Sequence, residues 1–489
     1  MSDLAIIGLV NAAYLVIVLA IGWAAFRRTS ASADDYFLGG RAARTLVLFM
    51  ALFGTNVTPF VLMGIPGLAY HQGIAVFGEN AAIIALGVPL TFYLIGYPAY
   101  RAARRIGAIT PAELFAERLA SPAVGLLLFV AYFIYTVPYM VTGVLGAGLT
   151  IEVLSAGALP LAAGSGIVLA ITLLYTSLGG MRATMWTNVF QGTVFLALMI
   201  AVWLGIAADE GGLGAITRAV AEARPELLSK GTGPDFALGR VGSWGLAIAL
   251  TVIGFPHVLV RLFAARDAAA IKNACRLYPP AMVLLWVPAV LLGVWGAVLA
   301  PGMVGKASDG IFPLLVRAHF GPAMEGLALA AILAAVMSTL DAQLLTLSSM
   351  LTRDVLPRVA PRLGAREVVS GRIFLLAIAG LVFAAVLARP ASIFEIAAFS
   401  FSGYVTLVPT LFLGLRWRRF TAAGAAASVI AGNLALGAAM AGWLPAPGGV
   451  LPVAWGLAAA IVAGVCGSWA SRPTAPEVLA RVLGPGDDS

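Results

Sequence analysis

Long apolar stretches separated by short polar segments dominate this sequence, and they limit what the chain can fold into. We identify thirteen stretches, most of which reach the about 20 residues that a helix needs to cross the hydrocarbon of a bilayer. They lie at roughly 4–26, 45–70, 74–98, 122–150, 161–178, 187–208, 243–263, 277–300, 323–350, 370–388, 392–415, 420–442 and 451–470. Because the apolar residues do not alternate strictly with polar ones, the pattern favours helices over a β-barrel. We therefore predict an all-α integral membrane protein with about 13 transmembrane helices.

The composition excludes several other classes of protein. Of the 489 residues, 61% are hydrophobic and 11% are charged, whereas a soluble protein carries about 25% charged residues. The two cysteines, Cys275 and Cys466, are too few for a disulfide framework or a thiolate metal site. The sequence contains neither a GxxxxGK[ST] motif nor an HExxH motif, so we expect neither ATP-driven transport by this chain nor a metalloprotease. We find no nucleophile–base pair either, and an enzyme is not predicted.

The positions of the positive charges predict the orientation of the chain. If the N-terminus lies outside, twenty-three of the 30 Lys and Arg residues fall in the inner loops. Positive charge in short loops favours the cytoplasmic side. The sequence therefore predicts thirteen crossings with the N-terminus outside and the C-terminus in the cytoplasm. The same bias accounts for the formal charge of +8 without nucleic acid as a partner.

Two of the predicted spans contain proline at a point where the helix should break. The second span has a polar run at 55–58 between Gly54 and Pro59. Proline lacks an N–H and clashes with the carbonyl four residues back, so Pro59 frees the carbonyl of Thr55. In the seventh span, Pro256 would free the carbonyl of Val252 in the same way. Interrupted helices at matching positions of two halves point to a transporter binding site, although simple proline kinks are an alternative reading.

Hydroxyl groups in the ninth span are arranged as a cation site requires. Ser338 and Thr339 lie three and four residues after Ala335 and so share a helix face with its carbonyl. Sodium prefers several hard oxygen ligands, by the logic that applies to calcium. Carbonyls near the break, at Gly54 and Val57, could supply the others. The alternative is that both hydroxyls bond to carbonyls of their own helix.

Asp341 is the acidic residue placed most deeply in any predicted span. An intramembrane carboxylate is costly and is a functional candidate by default. It could face an inner aqueous cavity, pair with a cation or titrate. The competing role is structural, in which the carboxylate accepts hydrogen bonds from a neighbouring helix.

Several motifs, spread from about residue 34 to 430, resemble a known family, the sodium/solute symporters. That family includes the sodium/proline, pantothenate, monocarboxylate and sodium/glucose carriers. The motifs are 35–41, 62–67, 178–183 followed by Trp186-Thr187-Asn188 and Gln191, Pro256-His257 with Arg261, and, as the most specific match, 337–345. The last of these is closest to the proline-carrier branch. The resemblance implies a LeuT-like fold of five plus five helices in an inverted repeat with two broken helices.

The resemblance also divides the chain into segments and implies a co-transported sodium ion with no covalent cofactor. The segments are a first helix with its inner loop (1–44), a first repeat (45–208), an outer loop (209–242), a second repeat (243–415), and two peripheral helices with a cytoplasmic tail (416–489). We expect the tail to be mobile. Carried over position by position, the sodium ligands would be the carbonyls of Gly54, Val57 and Ala335 and the hydroxyls of Ser338 and Thr339.

Two residues depart from the pattern of the family. Asn56 stands where proline-type relatives have an aspartate, and Asn188 stands where many relatives have another. Both changes remove a negative charge from the path of the cation. They put a second sodium in doubt and leave room for proton coupling, with Asp341 and Asn188 as possible coupling residues.

The resemblance places the solute pocket at mid-membrane, between the two broken helices and the fourth and eleventh spans. The expected lining is Asn56, Thr58, Tyr139, Ile248, Val252, Phe255, Phe399, Ser402 and Tyr404. For each of the aromatic side chains, ordinary helix packing is the alternative. Relatives that bind proline have aromatic residues where Ile248 and Val252 stand, so the aliphatic wall favours a small, partly apolar solute.

The function predicted from these features is secondary active symport in the cytoplasmic membrane. A small organic solute, of the amino acid or monocarboxylate class, would enter with sodium by alternating access. Proton-coupled symport of the same solutes is the alternative within transport, and a transporter-like solute sensor is an alternative outside it. The predicted partners are the solute, sodium and membrane lipid, with no nucleic acid and no obligate protein partner.

Overall fold

The chain is helical along almost all of the residues that can be described. The computed structural model describes residues 2–30, 32–155, 157–231, 236–388 and 393–485, and no β-strand occurs in these ranges. One isolated bridge pairs Ala43 with Ala265. The predicted all-α class is confirmed.

Ten helices of the described ranges are long and apolar enough to span a membrane, and two bent pairs of helices raise that number to 12. In chain order we label them α1 (Asp3–Phe26), α2 (Thr45–Asn56), α3 (Phe60–Gln72), α4 (Phe77–Ile106), α5 (Pro122–Glu152), α6 (Leu161–Asp209), α7 (Leu238–Gly254), α8 (Pro256–Phe263), α9 (Ala268–Leu299), α10 (Pro322–Val359), α11 (Glu367–Ala388), α12 (Ile396–Arg416), α13 (Ala422–Met440) and α14 (Pro452–Trp469). The bent pairs are α2 with α3 and α7 with α8.

Helix α6 accounts for the difference between 12 and the predicted thirteen. It has 49 residues, about 73 Å of helix at 1.5 Å per residue, against a hydrocarbon core of about 30 Å. Gly180 interrupts it with a left-handed φ of 53° and a ψ of −145°, a conformation that glycine adopts at low cost. Two predicted spans, 161–178 and 187–208, lie on either side of this glycine. The count of thirteen depends on both halves of α6 crossing the membrane, and it stays a prediction.

Loops that the thirteen-span topology places on one side contact one another. On the predicted inner side, Arg41 donates to the carbonyl of Gly107 at 3.0 Å, and Arg182 forms an ion pair with Asp35 at 2.5 Å. On the predicted outer side, the Nδ1 atom of His319 lies 2.6 Å from a carboxylate oxygen of Asp209. Arg182 lies just after the break in α6 and Asp209 is the last residue of that helix, so these contacts place the two ends of the second half of α6 on opposite predicted sides.

Short helices connect the spans, and one of them corrects an expectation. They cover Ala33–Leu38, Pro111–Arg118, Leu213–Ala223, Ile311–His319 and Pro476–Leu483. The last lies in the tail that we expected to be mobile. Its Val482 is fully buried, and its Arg481 pairs with Glu117 at 2.5 Å. This helix packs through an apolar face onto the predicted inner surface, a contact that the polar composition of the tail does not indicate.

Helix α10 forms the centre of the bundle. Every residue from 328 to 350 is buried, in contrast to α1, where only 22% of the apolar window is buried. A helix that is buried on all sides can carry polar groups only where other helices satisfy them. The hydroxyls and the carboxylate of α10 therefore sit where α2, α6 and α8 meet it.

Candidate cation and solute site

The first broken helix is interrupted where the proline predicts. Helix α2 ends at Asn56, Val57 takes an extended conformation (φ −87°, ψ 107°), and α3 continues at an angle of 62°. The hydroxyl of Thr58 accepts a hydrogen bond from the N–H of Phe60 at 3.3 Å and so caps the new helix. The break leaves carbonyls of the last turn of α2 without donors from their own helix.

The second broken helix bends by 48° at Phe255, which is extended (φ −68°, ψ 124°). Pro256 takes the first position of α8, where its missing N–H costs nothing. The carbonyl of Val252, which we expected to be free, accepts a hydrogen bond from the N–H of Phe255 at 3.2 Å. The break exists as predicted, but this carbonyl is satisfied by a tighter final turn.

The two hydroxyls of α10 reach across to the end of α2. Ser338 donates to the carbonyl of Gly54 at 2.9 Å and to that of Ala335 at 3.1 Å. Thr339 donates to the carbonyl of Thr55 at 3.0 Å and to that of Ala335 at 3.2 Å. Each hydroxyl therefore lies within hydrogen-bonding distance of a carbonyl of its own helix and of a carbonyl of the broken helix, and its role as a cation ligand stays a prediction.

The structure brings together four of the five predicted cation ligands. Gly54, Ala335, Ser338 and Thr339 are linked by the contacts above, and Val57 is fully buried at the adjoining break. The carbonyl of Thr55 belongs to the same cluster, although the predicted ligand set did not include it. The signal was in the sequence, since Pro59 frees that carbonyl. A group of carbonyl and hydroxyl oxygens without a charge or a soft atom suits a small hard cation such as sodium.

Asn188 lies beside this cluster and is fully buried. Its amide donates to the carbonyl of Ser338 at 3.2 Å and to the hydroxyl of Thr55 at 3.4 Å. Its side-chain oxygen makes no hydrogen bond within the described residues. Asn188 thus contacts the oxygen cluster from the side of α6, and its role in coupling stays a prediction.

Asp341, the other possible coupling residue, has a cationic partner. Both it and Arg261 of α8 are fully buried, and their side chains pair at 3.1 Å. The second carboxylate oxygen accepts hydrogen bonds from Tyr175 at 3.0 Å and Thr187 at 3.5 Å. Arg261 was known from the sequence only as part of a motif, and nothing in its local pattern named Asp341, 80 residues away, as its partner.

A cavity of about 50 Å³ lies between the two breaks. Its wall is largely aliphatic and aromatic with a few polar groups, as small-molecule sites usually are. It is lined by Asn56, Val57, Thr58, Phe60, Val61, Ile84, Tyr139, Ile248, Thr251, Val252, Phe255, Met282, Trp286 and Phe401. Val57 and Asn56 connect the cavity to the cation cluster.

Six of the nine residues predicted to line the pocket do line this cavity. The other three are not among the lining residues, and Phe401 of α12 lines the cavity instead. These three are Phe399, Ser402 and Tyr404. Tyr404 instead donates to the hydroxyl of Thr136 at 2.7 Å, and Phe399 packs on Tyr135 with ring centroids 5.3 Å apart. The rotation of α12 about its axis decides which of these side chains faces the cavity, and sequence alone did not fix it. Which residues bind the solute stays a prediction.

Sequence reasoning also missed the contribution of α9. Met282 and Trp286 are four residues apart, so they share one face of α9, and both line the cavity. Tryptophan is usually placed at the membrane interface, so a tryptophan in the interior of the apolar stretch 277–300 was a usable signal, and Trp286 is fully buried. From the same helix, Tyr278 accepts a short hydrogen bond from the amide of Asn56.

Paired broken helices that enclose a cavity and an oxygen cluster define a class of protein, the secondary transporters. The comparisons place the chain within that class. Residues 36–432 match the model of the sodium:solute symporter family. The chain belongs to this family and is a multi-pass membrane transporter rather than an enzyme.

Similar proteins are transporters of the same family branch. The osmoregulated proline transporter OpuE of Bacillus subtilis is 29% identical over 437 residues, which cover 86% of this chain and 85% of that protein. A sodium/proline symporter of Staphylococcus aureus is 28% identical over 441 residues, covering 86% and 83%. The predicted resemblance to the proline-carrier branch is confirmed.

Solved structures confirm the fold class. A Na⁺-coupled sialic acid symporter in its substrate-bound outward-open state superposes with a TM-score of 0.79 and 18% identity, covering 96% of this chain and 98% of that one. The nucleobase–cation symporter Mhp1 gives a TM-score of 0.52 with 15% identity, covering 92% and 99%. The LeuT-like fold with two broken helices is therefore correct, while the segment boundaries drawn from the sequence stay predictions.

Proposed function

We propose that this chain takes up a small, partly apolar solute such as proline together with sodium, by alternating access. The observation that carries the proposal is the convergence of the Ser338 and Thr339 hydroxyls on the carbonyls of Gly54, Thr55 and Ala335. This cluster lies at the break that also borders the cavity. Sodium entry would be driven by its gradient and by the membrane potential, about 2.3 kcal/mol per charge per 100 mV.

We propose the cavity as the solute site, with Asn56, Thr58, Tyr139, Ile248, Val252 and Phe255 in contact with the solute. Its aliphatic and aromatic wall suits a short hydrocarbon or a small ring, and Asn56, Thr58 and Thr251 can orient polar groups. No Lys, Arg, Asp or Glu is among its lining residues in the described part of the chain. That neutrality favours a zwitterionic or weakly charged solute. The proline transporters among its relatives agree with this choice.

Proton coupling through Asp341 is the alternative. The buried carboxylate pairs with Arg261 at 3.1 Å and accepts hydrogen bonds from Tyr175 and Thr187. Burial favours the neutral form of a carboxylate and a neighbouring guanidinium favours the charged form, so the two act in opposite directions. We propose sodium as the coupling ion because the neutral oxygen cluster at the break of α2 suits it.

Thermal unfolding of the purified protein in sodium against potassium, at equal ionic strength and fixed pH, tests the cation site. A ligand at 100 times its dissociation constant stabilises by about 2.7 kcal/mol. We expect a saturable shift that is specific to sodium, followed by sodium-dependent uptake of labelled proline into liposomes. An equal response to potassium would reject sodium coupling, and uptake driven only by a pH gradient would return Asp341 to consideration.

Thr339→Ala gives the matching test by mutation. The variant loses one of the proposed ligands and should raise the half-saturating sodium concentration by roughly tenfold, or about 1.4 kcal/mol. Thr346→Ala is the control, because Thr346 lies seven residues further along the same buried helix and its hydroxyl has no hydrogen-bond partner within the described residues. If Thr339→Ala responds to sodium as Thr346→Ala does, Thr339 is not a ligand.

A further inference from the structure

The buried ion pair of Arg261 and Asp341 joins several helices of the bundle. Arg261 belongs to α8 and Asp341 to α10, and the side chains of both are fully buried. The second nitrogen of the guanidinium donates a short hydrogen bond to the carbonyl of Ala51 in α2. The other carboxylate oxygen of Asp341 accepts hydrogen bonds from Tyr175 and Thr187, which lie on the two sides of the break in α6. Four helices thus meet at one ion pair.

A buried ion pair needs a reason other than stability. The cost of removing two charges from water can exceed their mutual attraction, and a well-packed apolar pair is often no less stable. Removing only one partner, in contrast, leaves an uncompensated buried charge. Such a pair can instead fix the geometry of the groups around it. A guanidinium offers several donors in a fixed plane and can bridge two acceptors.

The contacts of Arg261 lead, through Ala51 and Asp341, to the proposed cation ligands. The carbonyl of Ala51 accepts a hydrogen bond from Arg261 and another, at 2.7 Å, from the hydroxyl of Thr55. The carbonyl of Thr55 is in turn bound by Thr339. On the other side, Asp341 lies within one turn of Ser338 and Thr339 on α10. Arg261 therefore clamps the last turn of α2 against the turn of α10 that carries both hydroxyls.

We propose that Arg261, held by Asp341, is a positioning residue for the sodium site and links the second broken helix to it. Arg261 touches no proposed ligand atom, so it acts through Ala51 and Asp341. Any movement that separates α2 or α8 from α10 must break at least one of its two contacts. The spacing of the hydroxyls and carbonyls that would bind sodium is thereby tied to the position of α8, which begins directly after the cavity-lining residue Phe255. This inference rests on the proposed sodium coupling.

The experiment measures the sodium concentration that gives half of the maximal thermal stabilisation of the purified full-length protein, with sodium as the only ligand. Arg261→Lys keeps the charge but cannot bridge both acceptors with a planar group. We expect its sodium midpoint to rise by about tenfold or more, which equals about 1.4 kcal/mol. A purely structural role would lower the melting temperature at every sodium concentration and leave the midpoint unchanged.

A double variant guards against misfolding. Arg261→Met with Asp341→Leu removes both charges together, so no buried charge is left alone. We expect it to fold and to show the same rise in sodium midpoint. Arg353→Lys is the matched control, since Arg353 also binds two partners, Glu113 and Glu367 at 2.7 Å each, but on the inner surface. Its midpoint should stay within about twofold of the wild type.

The outcomes separate the inference from the function on which it rests. If the wild type does not respond to sodium, the proposed function fails and the inference fails with it. If the wild type responds and both Arg261 variants keep its midpoint, only the positioning role is overturned. An equal shift in Arg353→Lys would also overturn it, because the effect would then belong to ion pairs in general.

Discussion

Asn56 is the last residue of α2, the first half of the first broken helix. A hydrogen bond orients its side-chain amide. The acceptor is the hydroxyl of Tyr278, which is fully buried in α9. With its nitrogen committed to Tyr278, the amide can turn its oxygen toward the cavity that it lines. An aspartate at this position would bring a charge, whereas the asparagine brings a fixed dipole. We therefore propose that residue 56 acts on the solute more directly than on the cation.

Tyr278→Phe tests this role of Asn56. The variant removes the acceptor and leaves the amide free to rotate, at a cost of about 1 kcal/mol, or roughly a fivefold change in affinity. We expect the half-saturating concentration for proline uptake to rise by that factor, with the sodium midpoint unchanged. Tyr132→Phe is the control, because the hydroxyl of Tyr132 is buried without a hydrogen-bond partner in the described structure. Equal proline uptake in both variants would contradict the proposed orientation.

Contacts within one helix were predictable from spacing, whereas contacts between helices were predictable only where the family resemblance named both partners. Ser338 and Thr339 follow from their spacing to Ala335, and the free carbonyl of Thr55 follows from Pro59. The partner of Arg261 could not be inferred, because an ion pair between α8 and α10 depends on how the two helices pack. The same limit explains why Phe401 lines the cavity and Tyr404 does not.

At the scale of the element, the breaks follow from proline chemistry, but the packing of the bent helices depends on glycine. A Cβ atom added at Gly254, the last residue of α7, would lie 2.7 Å from the carbonyl oxygen of Tyr404 and 3.1 Å from its carbon. Such contacts require backbone to move, since real Cβ atoms do not approach so closely. The end of α7 can therefore lie against α12 only because residue 254 has no side chain.

Gly254→Ala should accordingly destabilise the protein by about 1–3 kcal/mol, the usual cost of overpacking. Gly143→Ala in α5 is the matched control, where the added Cβ would meet only a methyl of Val336 at an ordinary 3.5 Å. We expect the control to stay within about 1 kcal/mol of the wild type, since alanine also favours the helix. Thermal unfolding in detergent measures both. A melting temperature of Gly254→Ala equal to that of the control would show that α7 and α12 are less tightly packed.

For the whole molecule, the pattern of apolar stretches predicted the fold class and nearly all of the spanning helices. What it could not show is how the loops assemble at each end, since this depends on contacts between distant segments. Ion pairs such as Arg182 with Asp35 join loops of the predicted inner side. Burial raises the pKa of Asp35, but the hydrogen bonds from Ser30 and Arg182 outweigh it and hold that pKa below its ordinary value. The pair therefore stabilises the fold at neutral pH and loses this contribution only as the pH falls through the lowered pKa of Asp35.

The predicted orientation of the molecule rests on the same distribution of charge and can be measured directly. In a background of Cys275→Ser and Cys466→Ser, single cysteines would be introduced as Lys230→Cys in the predicted outer loop and Glu477→Cys in the C-terminal helix, both at exposed positions. With the N-terminus outside, a membrane-impermeant thiol reagent added to intact cells should label position 230 and not 477, and permeabilisation should expose 477. Labelling of 477 alone in intact cells would invert the topology. That result would also mean that the bias of positive charge toward the predicted inner loops does not set the orientation of this chain.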